Sequence, residues 1–240
     1  MRPARGPDMM DALTHAESLE ERFAELARED IHIRPVDVAL RALDVLVSGT
    51  ALALLSPLWL LTTAAVFASS GPPIFYRGLR VGRYGRVFTM LKFRTLRPDA
   101  ESRLDAFYGE ELTRLTEAEV TRLGRVLRAT QLDEIPQLWN VLRGDMSVVG
   151  PRPIRPTLFG DVAGEIPQYW QRLVVRPGLT GFAQTRMGRE ETWAEKLAHD
   201  LEYIADRSVA LYLRVVVATA WRVLRQSARA LSGLAAHRRH

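Results

Sequence analysis

Two adjacent carboxylates are the residues of this chain best suited to chemistry. Asp133 and Glu134 lie in the segment ATQLDEIPQLWNVLRGDMSVVGPRP, residues 129–153, just before Pro136. A carboxylate can attack phosphorus as a nucleophile, and two carboxylates together can hold a divalent cation. A simpler alternative remains open, because Thr130 precedes Asp133 at a capping-box spacing. Both acids could then serve only to stabilise the first turn of a helix.

The same region contains more basic residues than are needed to balance the charge of the two acids. Guanidinium groups bind phosphate oxygens through paired hydrogen bonds, so this surplus indicates a phosphate-bearing substrate. Beside a carboxylate pair, such a substrate favours phosphoryl transfer. The basic residues in question are Lys92, Arg94, Arg125, Arg128, Arg143, Arg152 and Arg176.

Composition narrows the function classes further. With 240 residues and a formal net charge of +5, the chain can bury one sizeable core and suits an anionic partner. That partner could be nucleic acid, an anionic membrane surface or a phosphorylated substrate. The absence of cysteine excludes disulfides and thiolate chemistry, and the five histidines lack metal-ligand spacing. Neither G-x-x-x-x-G-K-[ST] nor G-x-G-x-x-G occurs, so a nucleoside triphosphatase or Rossmann fold has no support.

A long uncharged segment indicates a membrane-associated helix. The 32 residues from Val45 to Tyr76 carry no charge, whereas roughly 20 apolar residues span a bilayer. Ser56 and Pro57 divide the segment, because proline removes a backbone donor and clashes with the preceding turn. Arginines flank both sides, so we predict a re-entrant helix-break-helix over residues 34–76 that enters and leaves by the cytoplasmic face. A proline-kinked full span and a buried core helix are the alternatives.

The two ends of the chain have amphipathic character. Residues 1–33 are polar with apolar side chains at helical spacing, and they predict an amphipathic extension without a chemical motif. Residues 209–240 predict an interfacial helix and basic tail, with Tyr212 and Trp221 suited to the lipid headgroup boundary. A basic helix packed on the core, or one that grips nucleic acid, is the alternative. The arginines near one face of this helix are Arg214, Arg222, Arg225 and Arg229.

The segment between these ends predicts a small catalytic domain over residues 77–208. Residues 74–96 contain the glycines and β-formers of short strands, and residues 99–130 show the charge pairs of helices. The predicted fold class is therefore α+β and mostly helical. It comprises a small globular cytoplasmic domain with an N-terminal re-entrant membrane helix and interfacial amphipathic helices.

Four sequence blocks together resemble one known family. They are RPVDVALRALDVLVSGTALALLSPLW, GPPIFYRGLRVGRYGRVFTMLKFRTL, LGRVLRATQLDEIPQLWNVLRGDMSVVGPRP and VRPGLTGFAQTRMGR, in this order. From Arg34 to Arg225 the chain resembles the bacterial sugar transferases, which are monotopic polyprenyl-phosphate phosphoglycosyl transferases. The Asp-Glu-x-Pro-Gln-Leu block, followed by Gly-Asp-Met-Ser and Gly-Pro-Arg-Pro, is highly specific. The chain is similar to the minimal catalytic form of that family, without the multi-span N-terminal domain of larger members.

The resemblance implies a reaction and its partners. A sugar 1-phosphate would pass from a UDP-sugar to undecaprenyl phosphate, with Mg²⁺ at the diphosphate, in the first membrane step of glycan or exopolysaccharide assembly. The resemblance also implies a place in the bacterial inner membrane, among membrane lipids, with the catalytic domain on the cytoplasmic face. Nucleic acid is not an expected partner, and a homodimer is left open.

The resemblance also implies roles for individual residues. Asp133 matches the nucleophile that forms an aspartyl-phosphosugar intermediate, and Glu134 matches its essential partner, both at the metal. Ser56 and Pro57 match the break in the family's re-entrant helix. The basic residues at matching motif positions, expected to bind substrate, are Lys92, Arg94, Arg128, Arg152 and Arg176.

The chain departs from the family pattern at two places. Tyr212 stands where the family usually has an acidic residue, so the pattern does not predict how the C-terminal helix packs. The sequence TRMGR, residues 185–189, replaces a more usual motif and indicates an altered nucleotide or sugar preference. A non-catalytic membrane scaffold and a nucleic-acid-binding protein are the competing functions. The intact acid pair argues against the first, and the long uncharged segment argues against the second.

Overall fold

The computed structural model of the chain describes residues 34–98, 100–104, 109–182 and 192–237. The predicted amphipathic extension over residues 1–33 and the TRMGR segment over residues 185–189 lie outside the described residues. Within the described ranges the protein is mostly helical and contains two small sheets, which confirms that part of the predicted fold class.

The helices and strands alternate along the chain. The α-helices are α1 (Pro35–Ser70), α2 (Ala100–Leu104), α3 (Gly109–Glu119), α4 (Arg122–Thr130), α5 (Gln137–Arg143), α6 (Pro156–Glu165), α7 (Trp193–Asp206) and α8 (Val209–His237). The strands are β1 (Phe75–Val81), β2 (Val87–Phe93), β3 (Ser147–Val149) and β4 (Gly178–Thr180). Short 3₁₀ segments span Arg83–Gly85, Leu132–Glu134 and Pro167–Val174. β1 pairs with β2 in antiparallel orientation, and β3 pairs with β4 in parallel orientation.

α1 is one helix of 36 residues that contains Pro57. It begins at Pro35, where proline suits the first helical position, and ends before Gly71, whose φ of 66° favours glycine. Proline cannot donate to the carbonyl of Ala53, and the Ser56 hydroxyl donates to that carbonyl instead, at 2.8 Å. The helix is therefore continuous across the predicted break, and two separate legs are not present in its secondary structure.

α1 also has the surface of a membrane-associated helix. Among the described residues it is the one helix long and apolar enough to cross a membrane. Only 11% of its most apolar stretch is buried inside the protein, which argues against a buried core helix. A soluble protein rarely exposes so continuous an apolar surface. The exposed apolar side chains of α1 include Val38, Leu46, Leu54, Leu60, Leu61 and Phe67.

Both ends of α1 are bound to the globular domain. At the first end, Nη1 of Arg34 donates to the carbonyl of Ala205 in α7 at 2.7 Å. At the other end, Nη2 of Arg94 donates to the carbonyls of Ser70 and Gly71, each at 2.7 Å. The domain thus holds the start and the finish of the same apolar helix.

A buried carboxylate fastens the first half of α1 to the core. Asp44 accepts hydrogen bonds from the Ser147 hydroxyl and the Val148 backbone N–H, both at 2.8 Å. The Tyr212 hydroxyl of α8 donates to the same carboxylate at 3.0 Å. Tyr212 is completely buried in the main core cluster, which also contains Val141 of α5. Its predicted place at the headgroup boundary is therefore wrong, because its hydroxyl has an acceptor inside the protein.

Candidate active site

The turn between α4 and α5 carries both acids. α4 ends at Thr130, and Gln131 then adopts a left-handed φ of 58°. A residue in the left-handed conformation ends a helix sharply, so the 3₁₀ turn Leu132–Glu134 follows α4 directly. This turn packs against β2. Pro136 stands at the N-cap of α5, where its lack of an N–H removes no helical hydrogen bond.

Asn140 anchors α5, and with it the acids, to β2. Its side-chain amide donates to the carbonyl of Thr89 at 2.8 Å, and its side-chain oxygen accepts the backbone N–H of Leu91 at 3.0 Å. The residue is fully buried, so these bonds satisfy polar groups that water cannot reach. Lys92 follows Leu91 directly, and the clamp therefore fixes the distance between Lys92 and the acids.

The capping alternative finds no support in the geometry. The Thr130 hydroxyl donates back into α4, to the carbonyls of Val126 at 2.8 Å and Leu127 at 3.2 Å. No side chain caps the N-terminus of α5, which lies wholly within the described residues. The acids are therefore not needed to complete a helix end.

Glu134 is held by an ion pair with Lys92. Nζ of Lys92 lies 2.6 Å from Oε1 of Glu134, and both side chains are only partly exposed. Burial raises the pKa of Glu134, but the charge and hydrogen bond of Lys92 oppose it, with help from Arg152 and Arg222. The net pKa of this carboxyl is lower than usual, so Glu134 stays ionised and oriented.

Asp133 has a different environment. It is 7% exposed, and no ion pair to it is found among the described residues. Burial, together with the nearby charge of Glu134, raises the pKa of Asp133 to about 6, although Lys92 and Arg128 counteract this. Asp133 is thus largely ionised at neutral pH but poorly solvated. Such a carboxylate is available to attack an electrophile that enters the site.

Two arginines of the predicted set lie near the acids. Arg128 donates through Nε to the Thr95 hydroxyl at 2.9 Å, and its charge acts on Asp133. Arg152 is exposed and acts on Glu134 through its charge. Together with Lys92 they surround the acid pair with positive charge, which suits a diphosphate.

A buried ion pair holds the loop that presents Arg152. Nη2 of Arg172 donates to the backbone carbonyl of Arg152 at 2.8 Å and lies 2.8 Å from Oδ2 of Asp200. Its Nη1 donates to the Tyr169 hydroxyl at 2.7 Å. Arg172 and Asp200 are both buried, so this unit fixes the backbone from which the Arg152 side chain extends.

The other predicted substrate ligands lie at helix ends. Arg94 binds the last carbonyls of α1, as described above, while its Nε and Nη1 have no hydrogen-bond partner in the described part of the chain. Arg176 donates through Nε to the carbonyl of Gly144 at 2.9 Å, just beyond α5. Guanidinium groups bind helix carbonyls as well as phosphates. The residue type alone therefore could not show whether Arg94 and Arg176 bind a helix end or a substrate phosphate.

Arg222 is a basic residue near the acids that was not among the predicted site residues. It lies on α8, which packs along α4, and its charge helps to lower the pKa of Glu134. The sequence pointed to Arg222 only as one of the arginines near one face of this helix, without placing it near the acids. α8 therefore packs on the core, as the alternative prediction had it, while Trp221 remains 56% exposed.

Comparison with known proteins identifies the family. A family model described as bacterial sugar transferase matches residues 36–226, which includes both acids and every basic residue of the candidate site. The chain belongs to the bacterial sugar transferase family. The match covers most of the chain and confirms the resemblance drawn from the sequence blocks.

Three curated proteins are similar in sequence to this sugar transferase. UDP-glucose:undecaprenyl-phosphate glucose-1-phosphate transferase of Caulobacter vibrioides is 41% identical over 77% of this chain and 69% of its own length. The exopolysaccharide production protein ExoY of Rhizobium meliloti is 38% identical over 78% of this chain and 86% of its own. UDP-N-acetylgalactosamine-undecaprenyl-phosphate N-acetylgalactosaminephosphotransferase of Aeromonas hydrophila is 36% identical over 75% of this chain, but over only 42% of its own length.

The acid pair of this sugar transferase has the oxygen donors that a magnesium ion prefers. The described residues contain no group of three or more side chains that could hold a metal by themselves. Mg²⁺ usually binds through one or two carboxylates together with substrate phosphates rather than in an all-protein cage. Asp133 and Glu134 offer the two carboxylates, and a diphosphate would complete the oxygen ligands.

Proposed function

We propose that this sugar transferase moves a sugar 1-phosphate from a UDP-sugar to undecaprenyl phosphate through a covalent intermediate on Asp133. The observation that carries the proposal is the unequal environment of the two acids. Glu134 forms an ion pair with Lys92 at 2.6 Å, whereas Asp133 is buried, has a pKa raised to about 6, and forms no ion pair with a described cation. The printed names of the Caulobacter vibrioides and Aeromonas hydrophila relatives state a UDP-sugar and undecaprenyl phosphate, and these two names supply the substrates of the proposal.

The reaction then consists of two displacements at one phosphorus atom. An oxygen of Asp133 attacks the sugar-bearing phosphorus, and the bond from that phosphorus to the bridging oxygen breaks, so that UMP leaves. A phosphate oxygen of the lipid next attacks the same phosphorus and releases the Asp133 carboxylate. The product is an undecaprenyl diphosphate sugar, and the first product can leave before the second substrate attacks.

The charged side chains divide the remaining work. Lys92, Arg128 and Arg152 hold the diphosphate and spread the negative charge that develops as UMP departs. Glu134 keeps Lys92 in place and contributes the second carboxylate. Bound Mg²⁺ would supply further charge neutralisation at the diphosphate oxygens.

The contacts of α1 support a re-entrant path through the membrane. A helix of this length would extend for about 54 Å if straight, and a bilayer core is about 30 Å thick. If α1 spanned the bilayer, its two ends would lie on opposite faces, yet Arg34 and Arg94 bind both ends to one domain. A re-entrant path requires this continuous helix to bend inside the bilayer, and Pro57 is the position at which we expect the bend. We infer that the domain lies on the cytoplasmic face of the bacterial inner membrane, where undecaprenyl phosphate is accessible.

A panel of UDP-sugars tests the proposed reaction. The full chain in detergent with Mg²⁺ and undecaprenyl phosphate is assayed with UDP-glucose, UDP-galactose, UDP-N-acetylglucosamine and UDP-N-acetylgalactosamine, with UMP release as the readout. We expect UMP from at least one donor together with an equal amount of lipid-linked diphosphate sugar. Release of UDP, or transfer of the sugar without its phosphate, would reject phosphosugar transfer and indicate an ordinary glycosyl transfer.

A further inference from the structure

The Gly-Asp-Met-Ser block, residues 144–147, follows α5 directly, and its acid has no role in the reaction as proposed above. α5 ends at Gly144, whose φ of 95° lies in the left-handed region that favours glycine. The chain then turns back on the helix. The carbonyl of Asn140 accepts the next three backbone N–H groups, those of Gly144, Asp145 and Met146, at 3.1, 3.1 and 3.3 Å. This turn brings the Asp145 side chain beside the Asn140 side chain.

The Asn140 side-chain amide covers the free edge of β2 in the manner of a backbone peptide. Among the described strands, β2 pairs only with β1. At its other edge, the amide donates to the carbonyl of Thr89 and accepts the N–H of Leu91. Such edge groups stay unpaired unless another part of the protein covers them. The attachment of α5 to β2 therefore depends on the orientation of a single amide.

Asp145 completes the hydrogen bonding of that amide. Nδ2 of Asn140 carries two N–H groups, and one of them donates to Thr89. The other donates to Oδ2 of Asp145 at 3.2 Å. Because Asn140 is fully buried, loss of Asp145 would leave this second N–H unpaired where water does not reach it. Arg143 holds the same carboxylate oxygen in turn, through Nε at 2.7 Å and through Nη2.

We propose that Asp145 is a positioning residue, which orients the Asn140 amide and thereby keeps Lys92 paired with Glu134. The inference rests on the proposed function, in which Lys92 holds the diphosphate. Lys92 directly follows Leu91 in β2, and Glu134 lies just before α5, so the amide joins the two elements close to both members of the ion pair. The paired atoms are 2.6 Å apart, and a relative shift of about 1 Å would end their hydrogen bond.

The lysines of the chain allow the position of Lys92 to be measured without an activity assay. Lys92 and Lys196 are the only two lysines in the sequence. The ion pair with Glu134 shields Nζ of Lys92, whose side chain is 22% exposed, so it should react slowly with an acylating reagent. The full chain in detergent is treated with sulfosuccinimidyl acetate, and acetylation of each lysine is followed by peptide mass spectrometry. Lys196, whose Nζ lies 4.9 Å from the centroid of the Trp193 ring, is the internal reference for an intact fold.

The variants separate the hydrogen bond from a general effect on the fold. Asp145→Ala removes the acceptor, whereas Asp145→Asn keeps an acceptor oxygen of the same shape. Glu119→Ala is the matched control, because this acid has a similar exposure and pairs with Arg103 at 2.9 Å. We expect acetylation of Lys92 to be about tenfold faster in Asp145→Ala, since a charge-assisted hydrogen bond that shields the amine is lost. Asp145→Asn should restore a rate close to that of the wild type, the control should not change it, and Lys196 should react equally in all four proteins.

A double-mutant cycle shows whether Asp145 acts on the reaction through Lys92. The value of kcat/KM for the UDP-sugar, measured from the initial rate of UMP release, should fall about tenfold in Asp145→Ala. In a Lys92→Met protein the same substitution should lower it by less than about twofold, since the group that Asp145 positions is already absent.

Three results would overturn the proposal. Unchanged acetylation of Lys92 in Asp145→Ala would show that the lysine does not depend on Asp145. Faster acetylation of both lysines, or no recovery in Asp145→Asn, would indicate a loosened fold rather than a lost acceptor. Additive losses in the double-mutant cycle would mean that Asp145 does not act through Lys92. A wild type that releases no UMP would instead contradict the proposed function, and the acetylation rates would still decide the role of Asp145.

Discussion

Asp133 and Glu134 share one turn, yet their surroundings give them opposite electrostatic properties. The Lys92 ion pair outweighs burial at Glu134 and lowers its pKa, whereas burial dominates at Asp133 and raises its pKa to about 6. Two acids whose pKa values are pushed apart are typical of sites in which each performs a separate task. We therefore propose that Asp133 attacks the phosphorus and that Glu134 orients its neighbours.

The raised pKa of Asp133 predicts an acidic limb in the pH profile of the first half-reaction. Attack needs the ionised carboxylate, so kcat/KM for the UDP-sugar should fall about tenfold per pH unit below pH 6. Lys92→Met removes a charge that lowers this pKa, and it should move the limb to higher pH. The measurement is the initial rate of UMP release at low donor concentration between pH 4.5 and 8. A limb near pH 4 in the wild type would contradict the assigned environment.

The buried pair of Arg172 and Asp200 predicts a large cost when its acid is neutralised. Asp200→Asn leaves a buried guanidinium without its counter-ion, which costs about 3–5 kcal/mol and lowers the thermal midpoint by roughly 10 °C. Tyr169→Phe removes one neutral partner of the same guanidinium and serves as the matched control, with a smaller loss. Thermal unfolding in detergent measures both. Equal losses in the two variants would show that the charge of Asp200 has no special role.

Single residues also show what sequence reasoning could and could not predict. The acids and Lys92, Arg128 and Arg152 were selected by type and motif, and the structure places them together. Arg222 was missed because its proximity depends on long-range packing of α8 against α4, which no local pattern records.

At the scale of secondary-structure elements, α1 is joined to the core through polar groups. Asp44 lies inside an apolar helix but accepts three hydrogen bonds, one of them from Tyr212 of α8. A buried carboxylate is tolerated only with such donors. α1, β3 and α8 are thereby held at one point.

Removal of the Tyr212 hydroxyl, the donor that α8 contributes, should measurably weaken the junction at Asp44. Tyr212→Phe removes a hydrogen bond to a charged acceptor, worth about 1.5–3 kcal/mol, and should lower the thermal midpoint by roughly 5 °C. Tyr203→Phe, which removes a hydrogen bond to the neutral carbonyl of Val149, is the matched control and should cost less. The two substitutions Tyr212→Phe and Asp44→Asn should be non-additive when combined. Additive losses would mean that the Tyr212 hydroxyl does not act through Asp44.

The continuity of α1 depends on a local hydrogen bond that the sequence pattern did not predict. Proline at position 57 predicted a break because it removes a donor. The Ser56 hydroxyl binds the carbonyl left open at Ala53, and the helix continues. The helical class of the chain, by contrast, followed from long periodic segments and was predictable. The short parallel pairing of β3 with β4 had no sequence signal, because each strand has only three residues.

At the scale of the whole molecule, the membrane path of α1 leads to a labelling prediction. The chain has no cysteine, so single cysteines can be introduced at the exposed positions Arg34 and Arg77 and at Leu54. A membrane-impermeant maleimide should label the first two from the cytoplasmic side only, and Leu54→Cys from neither side. Labelling of the two flanking sites from opposite sides would contradict the re-entrant path and favour a kinked full span.

The most direct test of the account is the intact mass of the protein after the first half-reaction. With the correct UDP-sugar and Mg²⁺, but no lipid, the wild type should gain the mass of one sugar phosphate on Asp133 and release one equivalent of UMP. Undecaprenyl phosphate should then restore the original mass.

The same measurement on Asp133→Asn gives the decisive comparison. We expect the variant to remain folded. The pKa of Asp133 is raised in the folded protein, so ionisation of this carboxyl destabilises the fold as the pH rises through about 6. The neutral amide of asparagine does not carry that cost. The variant should form no adduct and lose at least about a thousandfold in turnover. A folded Asp133→Asn protein with near-normal turnover, or a wild-type adduct that maps to a residue other than Asp133, would contradict the central claim.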